Sequence, residues 1–438
     1  MLTVVGILIT LSVVALLLTG RWAPLVVLTL TPFIGAVVAG FGPADISAFY
    51  LQGLVKVAPV ATMFVFAITF FGIMQDVGLF APLIRGLLSL TRGNVVAVAV
   101  CTALLGMAAH LDGAGATTFL LTVPALLPLY RELRMNPYLM LMLLALGAGI
   151  VNMMPWAGPL GRASAVIGID ASLLWSPLIP LQATGAALLL LLASYLGWRE
   201  QKRIAAASPI ASPISASAAV SATPIDAERV PGWRQAVNGA IFSGVLIALL
   251  TSMLPAAYTF MLGAALALAV NFRNQRAQIA CLHAHAPNAL LMGAIILAAG
   301  SFLGVMDGSG MLKAIAHDLV SILPDSLVPQ LHLVLGLFGL PMELLLSTDA
   351  YYFGLLPIVN EIVTEHGVSP AVTVYALTIG NIIGTFISPF SAALWLALGL
   401  AGLDMGRHIR HSFGWMWSFS IVLMGVAVAI RLIPVTLD

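Results

Sequence analysis

Ten long apolar segments run through the 438-residue chain and restrict it to a fold that crosses a lipid bilayer. A helix needs about 20 such residues to span the hydrocarbon layer. None of the segments alternates polar and apolar residues as a membrane β-strand does, so an all-α polytopic membrane protein is predicted. The predicted spans lie near 2–19, 23–40, 55–76, 136–169, 172–197, 234–253, 256–272, 287–306, 370–402 and 412–434.

Composition agrees with this prediction and excludes several classes of protein. Charged residues make up only 8% of the chain, whereas a soluble domain carries roughly 25%. A net charge of +1 provides no basic surface for nucleic acid. Cys101 and Cys281 form no disulfide framework and have no metal-ligand spacing, so we interpret both as packing residues. The first apolar run lacks a basic leader and is expected to be a transmembrane helix rather than a signal peptide.

The two halves of the chain repeat each other at a nearly constant offset. We therefore predict a first repeat over 1–198, a linker over 199–233 and a second repeat over 234–438. The linker is rich in Ala, Ser and Pro and is expected to be disordered. Residues 232 apart match as Gly72 with Gly304, Met74 with Met306 and Gly78 with Gly310, and residues 233 apart match as Pro124 with Pro357, Pro137 with Pro370 and Gly147 with Gly380.

Each repeat also contains a segment that is too polar for a simple span. Apolar runs over 94–130 and 328–362 are interrupted by HLDGAGATT (110–118) and MELLLSTDAYY (342–352). Such a break is tolerated in a membrane only where it is buried in protein or lines a cavity. We therefore predict two re-entrant hairpins, each of which follows a short interfacial helix. The interfacial helices are predicted over 79–93 and 311–325.

This assignment gives five crossings in each repeat, and an odd number inserts the second repeat upside down relative to the first. Scaffold helices are predicted over 1–93 and 234–327, with hairpin and transport helices over 94–198 and 328–438. Arginines flanking the spans fall on the side of the linker, which the positive-inside rule assigns to the cytoplasm. Both termini are therefore expected in the periplasm.

Five ionisable side chains fall within the predicted membrane segments, where such groups are costly and by default indicate function. They are His110, Asp112, Arg162, Glu343 and Asp349. His110 and Glu343 are 233 residues apart and so occupy equivalent places in the two hairpins. Asp112 and Asp349 both lie at hairpin tips, but their positions are not equivalent at this offset. We interpret the four groups other than Arg162 as sites of proton or cation coupling. The alternative for each is a structural polar contact that fixes its hairpin.

The crossing after each hairpin is interrupted as well, by NMMPWAGPLGRAS (152–164) and GNIIGTFISPFSAAL (380–394). A broken helix exposes a half-helix N-terminus, which attracts anions. Two tips and two breaks meeting at the midplane are typical of a secondary transporter. Arg162 could bind a substrate carboxylate bidentately or neutralise Asp112. The predicted substrate-binding residues are Gly113, Gly115, Thr117, Thr118, Asn152, Gly158, Pro159, Arg162, Ser347, Thr348, Asn381, Ser388, Pro389 and Ser391.

Five motifs resemble the citrate–Mg²⁺:H⁺/citrate–Ca²⁺:H⁺ symporter family of the ion transporter superfamily. The resemblance covers nearly the whole chain except the linker. It implies import of citrate as a divalent-metal complex by proton symport, in a homodimer of the bacterial inner membrane with elevator-type movement. The motifs are FFGIMQDVGLFAPLI (70–84), LDGAGATT (111–118), NMMPWAGPLGRAS (152–164), LSTDAYYFGLLP (346–357) and ISPFSAALWLALGLAGLDMGRH (387–408).

The chemistry of the predicted site residues is consistent with a metal–citrate cargo, but it leaves alternative functions open. A bound Mg²⁺ or Ca²⁺ reduces the charge of citrate, and Asp112 and Asp349 could contact the metal of the complex with oxygen ligands. No tightly bound cofactor is expected, and the absence of a G-x-x-x-x-G-K-[ST] motif argues against ATP-driven transport. The alternatives are a proton- or sodium-coupled importer of another di- or tricarboxylate and, from another class, a channel or an intramembrane enzyme with paired aspartates.

Overall fold

The computed structural model describes residues 1–19, 21–79, 82, 86, 91, 93–207, 232–251, 253–321, 324 and 327–434. Every regular element in these ranges is helical. Most of the interfacial segment predicted over 79–93, most of the predicted linker and the last part of the interfacial segment predicted over 311–325 lie outside the described residues.

In the described part of the first repeat, the helices α1, α2 and α3 precede a helical hairpin, and a crossing in two parts follows it. The hairpin arms are α4 and α5, and the parts of the broken crossing are α6 and α7. A single 3₁₀ turn, Ser176–Leu178, joins α8 to α9. The elements are α1 (Leu2–Leu18), α2 (Pro24–Val38), α3 (Pro43–Asp76), α4 (Val95–Ala109), α5 (Gly115–Glu132), α6 (Pro137–Val151), α7 (Gly158–Ile167), α8 (Ala171–Trp175) and α9 (Ile179–Ala207).

The second repeat repeats the order of the main helices, and its helix α13 lies in the segment predicted to be an interfacial helix. Its hairpin breaks after α15, and the outgoing arm begins with a π-helical segment, Ala350–Leu355, that continues into α16. The elements are α10 (Gly232–Leu250), α11 (Ala256–Asn271), α12 (Gln275–Gly308), α13 (Met311–Val320), α14 (Leu331–Leu337), α15 (Gly339–Met342), α16 (Leu356–Thr364), α17 (Pro370–Ile382), α18 (Ala392–Ala401) and α19 (Met405–Ala429).

Close packing between α3 and α12 shows that the two repeats are inverted. Gly53, near the start of α3, faces Gly304, near the end of α12, and Gly72, near the end of α3, faces His285, near the start of α12. The two helices are therefore antiparallel. Positions 53 and 285 are equivalent at the 232-residue offset, as are 72 and 304, so one pseudo-two-fold axis relates both contacts. The predicted inverted duplication is confirmed.

Hairpin and broken crossing pack in the same way in both repeats. A Cβ at Gly147 of α6 would lie 2.7 Å from the carbonyl oxygen of Ala103 in α4, and a Cβ at Gly380 of α17 would overlap the backbone of Gly336 in α14. Both pairs are related by the 233-residue offset. Glycine is required at 147 and 380 because the backbones approach too closely for a side chain. The first arm of each hairpin is thus held against the crossing that follows it.

The two broken crossings touch each other where they end. A Cβ at Gly149 of α6 would lie 3.1 Å from the Cα of Ile383 and 3.2 Å from the carbonyl oxygen of Ile382 at the end of α17. Since 149 and 382 are equivalent positions, the pseudo-two-fold axis passes close to this contact. Both breaks, and the hairpin tips packed on them, are consequently gathered at one place in the molecule.

Several helices extend beyond the predicted spans. The helix α3 begins at Pro43 rather than near 55, α12 begins at Gln275 rather than near 287, and α19 begins at Met405 rather than near 412. Hydropathy detects only the most apolar part of a helix, whereas the N-terminal turns of α12 and α19 are polar and capped. The Asn274 side chain accepts a hydrogen bond from the N–H of Ala277, and Asp404 accepts one from Arg407.

The predicted boundary of the linker at residue 199 is wrong, because α9 continues to Ala207. Residues 199–207 are mostly Arg, Glu, Gln, Lys and Ala, which favour helix in water as well as at a membrane surface. Glu200 also forms an ion pair with Arg203 (Nη2 to Oε1, 2.7 Å) and accepts a hydrogen bond from the N–H of Asn136. These contacts tie the end of α9 to the turn before α6.

Candidate functional site

The tip of the first hairpin is fixed on the first break. The carboxylate of Asp112 accepts a hydrogen bond from the N–H of Ala114 at 2.9 Å, which closes the turn between α4 and α5. Gly113 has a φ of +72°, which favours glycine. The indole N–H of Trp156 donates to the carbonyl oxygen of Leu111 at 2.8 Å. Asp112 is thereby held beside the start of α7, where it remains partly accessible.

His110 connects the first hairpin to the end of α6 and is fully buried. Its Nε2 lies 2.9 Å from Asn152 Oδ1, and its Nδ1 lies 2.7 Å from the Thr118 hydroxyl oxygen. With Nε2–H donating to the amide oxygen, Nδ1 accepts from the threonine, so both ring nitrogens of a neutral imidazole are satisfied. The ring also lies edge-on to Phe386 from the second break. His110 therefore forms part of the contact between the hairpin and both breaks.

Glu343 occupies the equivalent position in the second hairpin and makes the equivalent connection. Its Oε1 accepts a hydrogen bond from Asn381 Nδ2 in α17 at 2.7 Å and a long one from the Thr348 hydroxyl at 3.4 Å. The residue is fully buried, and Oε2 has no hydrogen-bond partner among the described residues. An unpaired buried oxygen of this kind is costly unless the carboxyl group gains a proton or a cation.

Arg162 in α7 pairs with Asp349 at the tip of the second hairpin. Its Nε lies 2.7 Å from Asp349 Oδ1, and the two side chains are only 10% and 14% exposed. Among the described residues, neither Nη1 nor Nη2 takes part in a hydrogen bond. The alternative that Arg162 neutralises Asp112 is wrong: the second hairpin delivers Asp349 instead. Two guanidinium N–H₂ groups are left for a ligand.

Glycine creates the space in which the Arg162 side chain lies. A Cβ at Gly158, the first residue of α7, would lie 2.6 Å from Arg162 Nη1. Pro159 follows within the first turn, where its missing N–H has no cost. The guanidinium group therefore lies over the N-terminus of a half-helix, so both the guanidinium and the backbone dipole favour an anion there.

Serine side chains complete the second break and the second tip. Ser388 accepts a hydrogen bond from the N–H of Phe390 at 3.3 Å, and Ser391 caps α18 by accepting one from Leu394 at 3.4 Å. At the second tip, Ser347 accepts one from the N–H of Ala350 at 3.2 Å. These hydrogen bonds stabilise the local backbone at the second break and at the second tip. The half-helix α18 begins directly after Ser391.

The predicted residues thus lie at the hairpin tips and the breaks, where several of them form three groups and two more form an ion pair. One group joins Asp112 and Gly113 to the first break, one joins His110 and Thr118 to Asn152, and one joins Glu343 and Thr348 to Asn381. The pair Arg162–Asp349 connects the first break to the second tip. Thr117 lies next to Thr118 in the first turn of α5. Pro389 contributes its carbonyl oxygen to a hydrogen bond from Trp395 at 2.8 Å.

Two aromatic residues of this region were not predicted. Trp156 holds the first tip through its indole N–H, and Phe386 packs against His110 and against Gly115, where a Cβ would lie 2.6 Å from the ring. Trp156 could have been identified from the sequence, because it lies between Pro155 and Gly158 at the first break. Nothing in the sequence distinguishes Phe386, because it lies among many other apolar residues.

No group of three metal ligands includes Asp112 or Asp349 in the part of the chain that the structure describes. The two aspartates also make different contacts, since Asp112 caps a turn and Asp349 pairs with Arg162. These contacts give no support to a resident metal ion held between them.

Comparison with known proteins assigns the family. The model of the citrate transporter family matches residues 1–380. This chain belongs to the citrate transporter family. A "Citrate transporter" of Bacillus subtilis (strain 168) is 36% identical over 436 residues, covering 99% of this chain and 100% of the relative. A "Mg(2+)/citrate complex secondary transporter" of the same organism is 33% identical, with complete coverage of both chains. As a member of this family the chain is a transporter, so the alternative of an intramembrane enzyme is wrong.

Solved structures of other transporters share the fold of this family member. The Alcanivorax borkumensis YdaH transporter aligns with a TM-score of 0.58 at 17% identity, covering 87% of each chain. Neisseria gonorrhoeae MtrF aligns with a TM-score of 0.61 at 16% identity, covering 87% of this chain and 83% of MtrF. Both similarities concern the fold alone.

Proposed function

We propose that this transporter imports citrate as a complex with Mg²⁺ or Ca²⁺. The observation that supports the proposal best is the charge balance of the site. Arg162 is one cation, and its Nε is already paired with Asp349, while Asp112 and Glu343 are two further acids. A free citrate trianion would meet more negative than positive charge. A divalent cation coordinated to citrate leaves a monoanion, which suits one guanidinium group with two free N–H₂ groups.

Each part of the complex has partners of suitable chemistry. The free N–H₂ groups of Arg162 and the N-terminus of α7 would bind an uncoordinated carboxylate. Asp112, which is partly accessible, would approach the metal side of the complex, since Mg²⁺ and Ca²⁺ prefer oxygen ligands. Asp349 would orient Arg162 and could contribute to the same metal. The relative named as a Mg(2+)/citrate complex secondary transporter supports this choice of cargo.

Protons are the proposed coupling ion, and Glu343 is the group best placed to carry one. Its buried Oε2 lacks a partner, and its Oε1 is bound to Asn381 on the broken crossing. Gain or loss of a proton there would alter the contact between hairpin and crossing. His110, Asp112 and Asp349 are further candidates. Sodium coupling is the alternative, because the hydroxyl oxygens at the two tips also suit Na⁺.

Movement, assembly and orientation complete the proposal. The groups of the site come from the hairpins and broken crossings, while α3 and α12 form a separate glycine-rich contact. This division suits an elevator in which 94–198 and 328–438 move against a scaffold in a homodimer. The linker would be cytoplasmic and both termini periplasmic, in the inner membrane of a bacterium. Another di- or tricarboxylate is the alternative cargo.

Uptake of radiolabelled citrate into proteoliposomes tests cargo and coupling together. We expect saturable uptake that requires Mg²⁺ or Ca²⁺, accelerates under an inward proton gradient and does not respond to a sodium gradient. Uptake that follows the sodium gradient would refute proton coupling but leave the cargo intact. Uptake of another carboxylate in clear preference to citrate, with or without metal, would refute the cargo.

A further inference from the structure

A second group of polar side chains lies between α3 and α12, away from the hairpin tips. His285 Nε2 is 2.8 Å from Asp76 Oδ2, and Cys281 Sγ is 3.9 Å from the same oxygen. One ligand atom from each of the three side chains lies within 4.8 Å of the other two. Cys281 is buried, whereas the Asp76 side chain is 46% exposed. The group is therefore anchored in the protein and open on one side.

Helix geometry places the three side chains together. Cys281 and His285 are four residues apart in α12 and so project from the same face. Gly72 lies four residues before Asp76 in α3, and a Cβ at Gly72 would overlap the imidazole ring of His285. Glycine at this position opens the space that the ring needs to reach Asp76. Cys281 is therefore not only the packing residue that its sequence context predicts, because Asp76 and His285 lie beside its thiol.

The inverted repeat shows that the helix contact does not need these polar groups. At the 232-residue offset, Asp76 corresponds to Gly308, His285 to Gly53, and Cys281 to Phe49. In that symmetric copy of the contact, Gly53 packs on Gly304, and a Cβ at Gly308 would lie near the Phe49 ring. The same helices thus pack closely at that end through glycine and Phe49, with the Gln52 side chain beside them and no counterpart of the Asp76–His285 pair at the equivalent positions. The polar cluster is an addition to one side of the interface.

We propose that Asp76, Cys281 and His285 form a binding site for a divalent cation of the Zn²⁺ type. A set of one oxygen, one nitrogen and one sulfur ligand suits Zn²⁺ and related transition metals, whereas Mg²⁺ and Ca²⁺ require oxygen ligands. Zinc–ligand bonds of about 2.0–2.3 Å place neighbouring ligand atoms roughly 3.3–3.8 Å apart in a tetrahedron. The cluster needs shifts of only about 1 Å to reach that geometry.

Binding would replace two protons and clamp the scaffold. The thiol would lose its proton to the solvent on forming the metal–thiolate bond. Nε2 of His285 would lose to the solvent the proton that now lies between it and Asp76, and the ring would bind the metal as neutral imidazole with its other proton on Nδ1. The fourth position would be filled by water on the exposed side of Asp76. The ion would join α3 to α12, so it is separate from any metal that travels with citrate.

Direct binding of Zn²⁺ to the purified, tag-free, reduced full-length chain tests the proposal. Equilibrium dialysis with elemental analysis should find one zinc per chain that excess Mg²⁺ does not displace. Replacing the zinc by Co²⁺ should give a thiolate-to-metal charge-transfer band in the near ultraviolet. Cys281→Ser should abolish this band, and Asp76→Asn should weaken zinc binding by at least the roughly 10–100-fold that loss of an outer-shell partner costs.

Cys101→Ala provides the matched control, because Cys101 is the other free cysteine and is also buried. It should leave the band and the zinc stoichiometry unchanged. Absence of a charge-transfer band in the unaltered chain would overturn the proposal without any variant. Zinc retained at full affinity by Cys281→Ser, or a band lost in Cys101→Ala, would overturn it as well.

Discussion

Replacing Arg162 by lysine separates binding of the cargo from the internal ion pair. Nε of Arg162 is held by Asp349 at 2.7 Å, while Nη1 and Nη2 are free among the described residues. A lysine ammonium group could keep the positive charge beside Asp349, so the buried pair would survive. It could not at the same time offer a planar pair of N–H groups to a carboxylate. We therefore expect folding to be retained and cargo binding to be weakened.

The expected size of the effect follows from the bonds that are lost. A hydrogen bond to a charged group contributes about 1.5–3 kcal/mol. Loss of one such bond to the cargo would raise the citrate concentration for half-maximal uptake by roughly 10- to 150-fold. By contrast, Arg162→Met would leave Asp349 buried and unpaired, which costs about 3–5 kcal/mol and threatens the fold itself. Lysine is therefore the more informative substitution.

Saturation curves for citrate uptake in proteoliposomes at a fixed free Mg²⁺ concentration measure this effect. Arg203→Lys is the matched control, because Arg203 also forms an ion pair, with Glu200 at the end of α9, far along the chain from the breaks. We expect the control to leave half-saturation unchanged. Unchanged half-saturation in Arg162→Lys, or an equal shift in Arg203→Lys, would show that the guanidinium group does not bind the cargo.

Three further predictions concern coupling, packing and orientation. Glu343→Gln should preserve the hydrogen bond from Asn381 but make citrate uptake insensitive to a proton gradient. If uptake into proteoliposomes still responds to the proton gradient, Glu343 does not carry the coupling proton. Gly380→Ala should lower the free energy of unfolding by about 1–3 kcal/mol through overpacking, and with it the melting temperature in detergent. The control Gly425→Ala has open space around it and should leave the melting temperature unchanged. Equal melting temperatures of the two variants would contradict the close helix contact. Asp170 and Asp404 are exposed N-cap residues in equivalent positions of the two repeats. In a chain with Cys101 and Cys281 replaced, a membrane-impermeant thiol reagent applied outside should label the variant Asp170→Cys but not the variant Asp404→Cys. Labelling of both variants would contradict the inverted orientation.

Much of the fold could be predicted because the repeat leaves marks that survive in the sequence. Glycines such as Gly147 and Gly380 are fixed by contacts between backbones, so they recur at a constant offset. The breaks were visible because Pro, Gly and acidic residues interrupt apolar runs. Helix ends were predicted less well, since polar turns such as the start of α12 resemble loops by hydropathy alone.

Pairings within the site could not be predicted. Asp112 and Asp349 both lie at tips, and nothing in the sequence indicates which of them reaches Arg162, because this depends on how each tip is turned. The pairing of His110 with Asn152 and of Glu343 with Asn381 also required the structure. His110 and Glu343 are equivalent by offset, but their asparagine partners are not.

The proposed cargo is tested most directly by citrate uptake at constant total citrate while free Mg²⁺ is varied with an impermeant chelator. Because the site holds one partly engaged cation among several acids, we expect the initial rate to follow the concentration of the Mg²⁺–citrate complex. It should fall to background when the chelator removes divalent ions and recover when Mg²⁺ or Ca²⁺ is restored. A rate that stays constant in chelator, or rises as free citrate replaces the complex, would contradict transport of a metal–citrate complex.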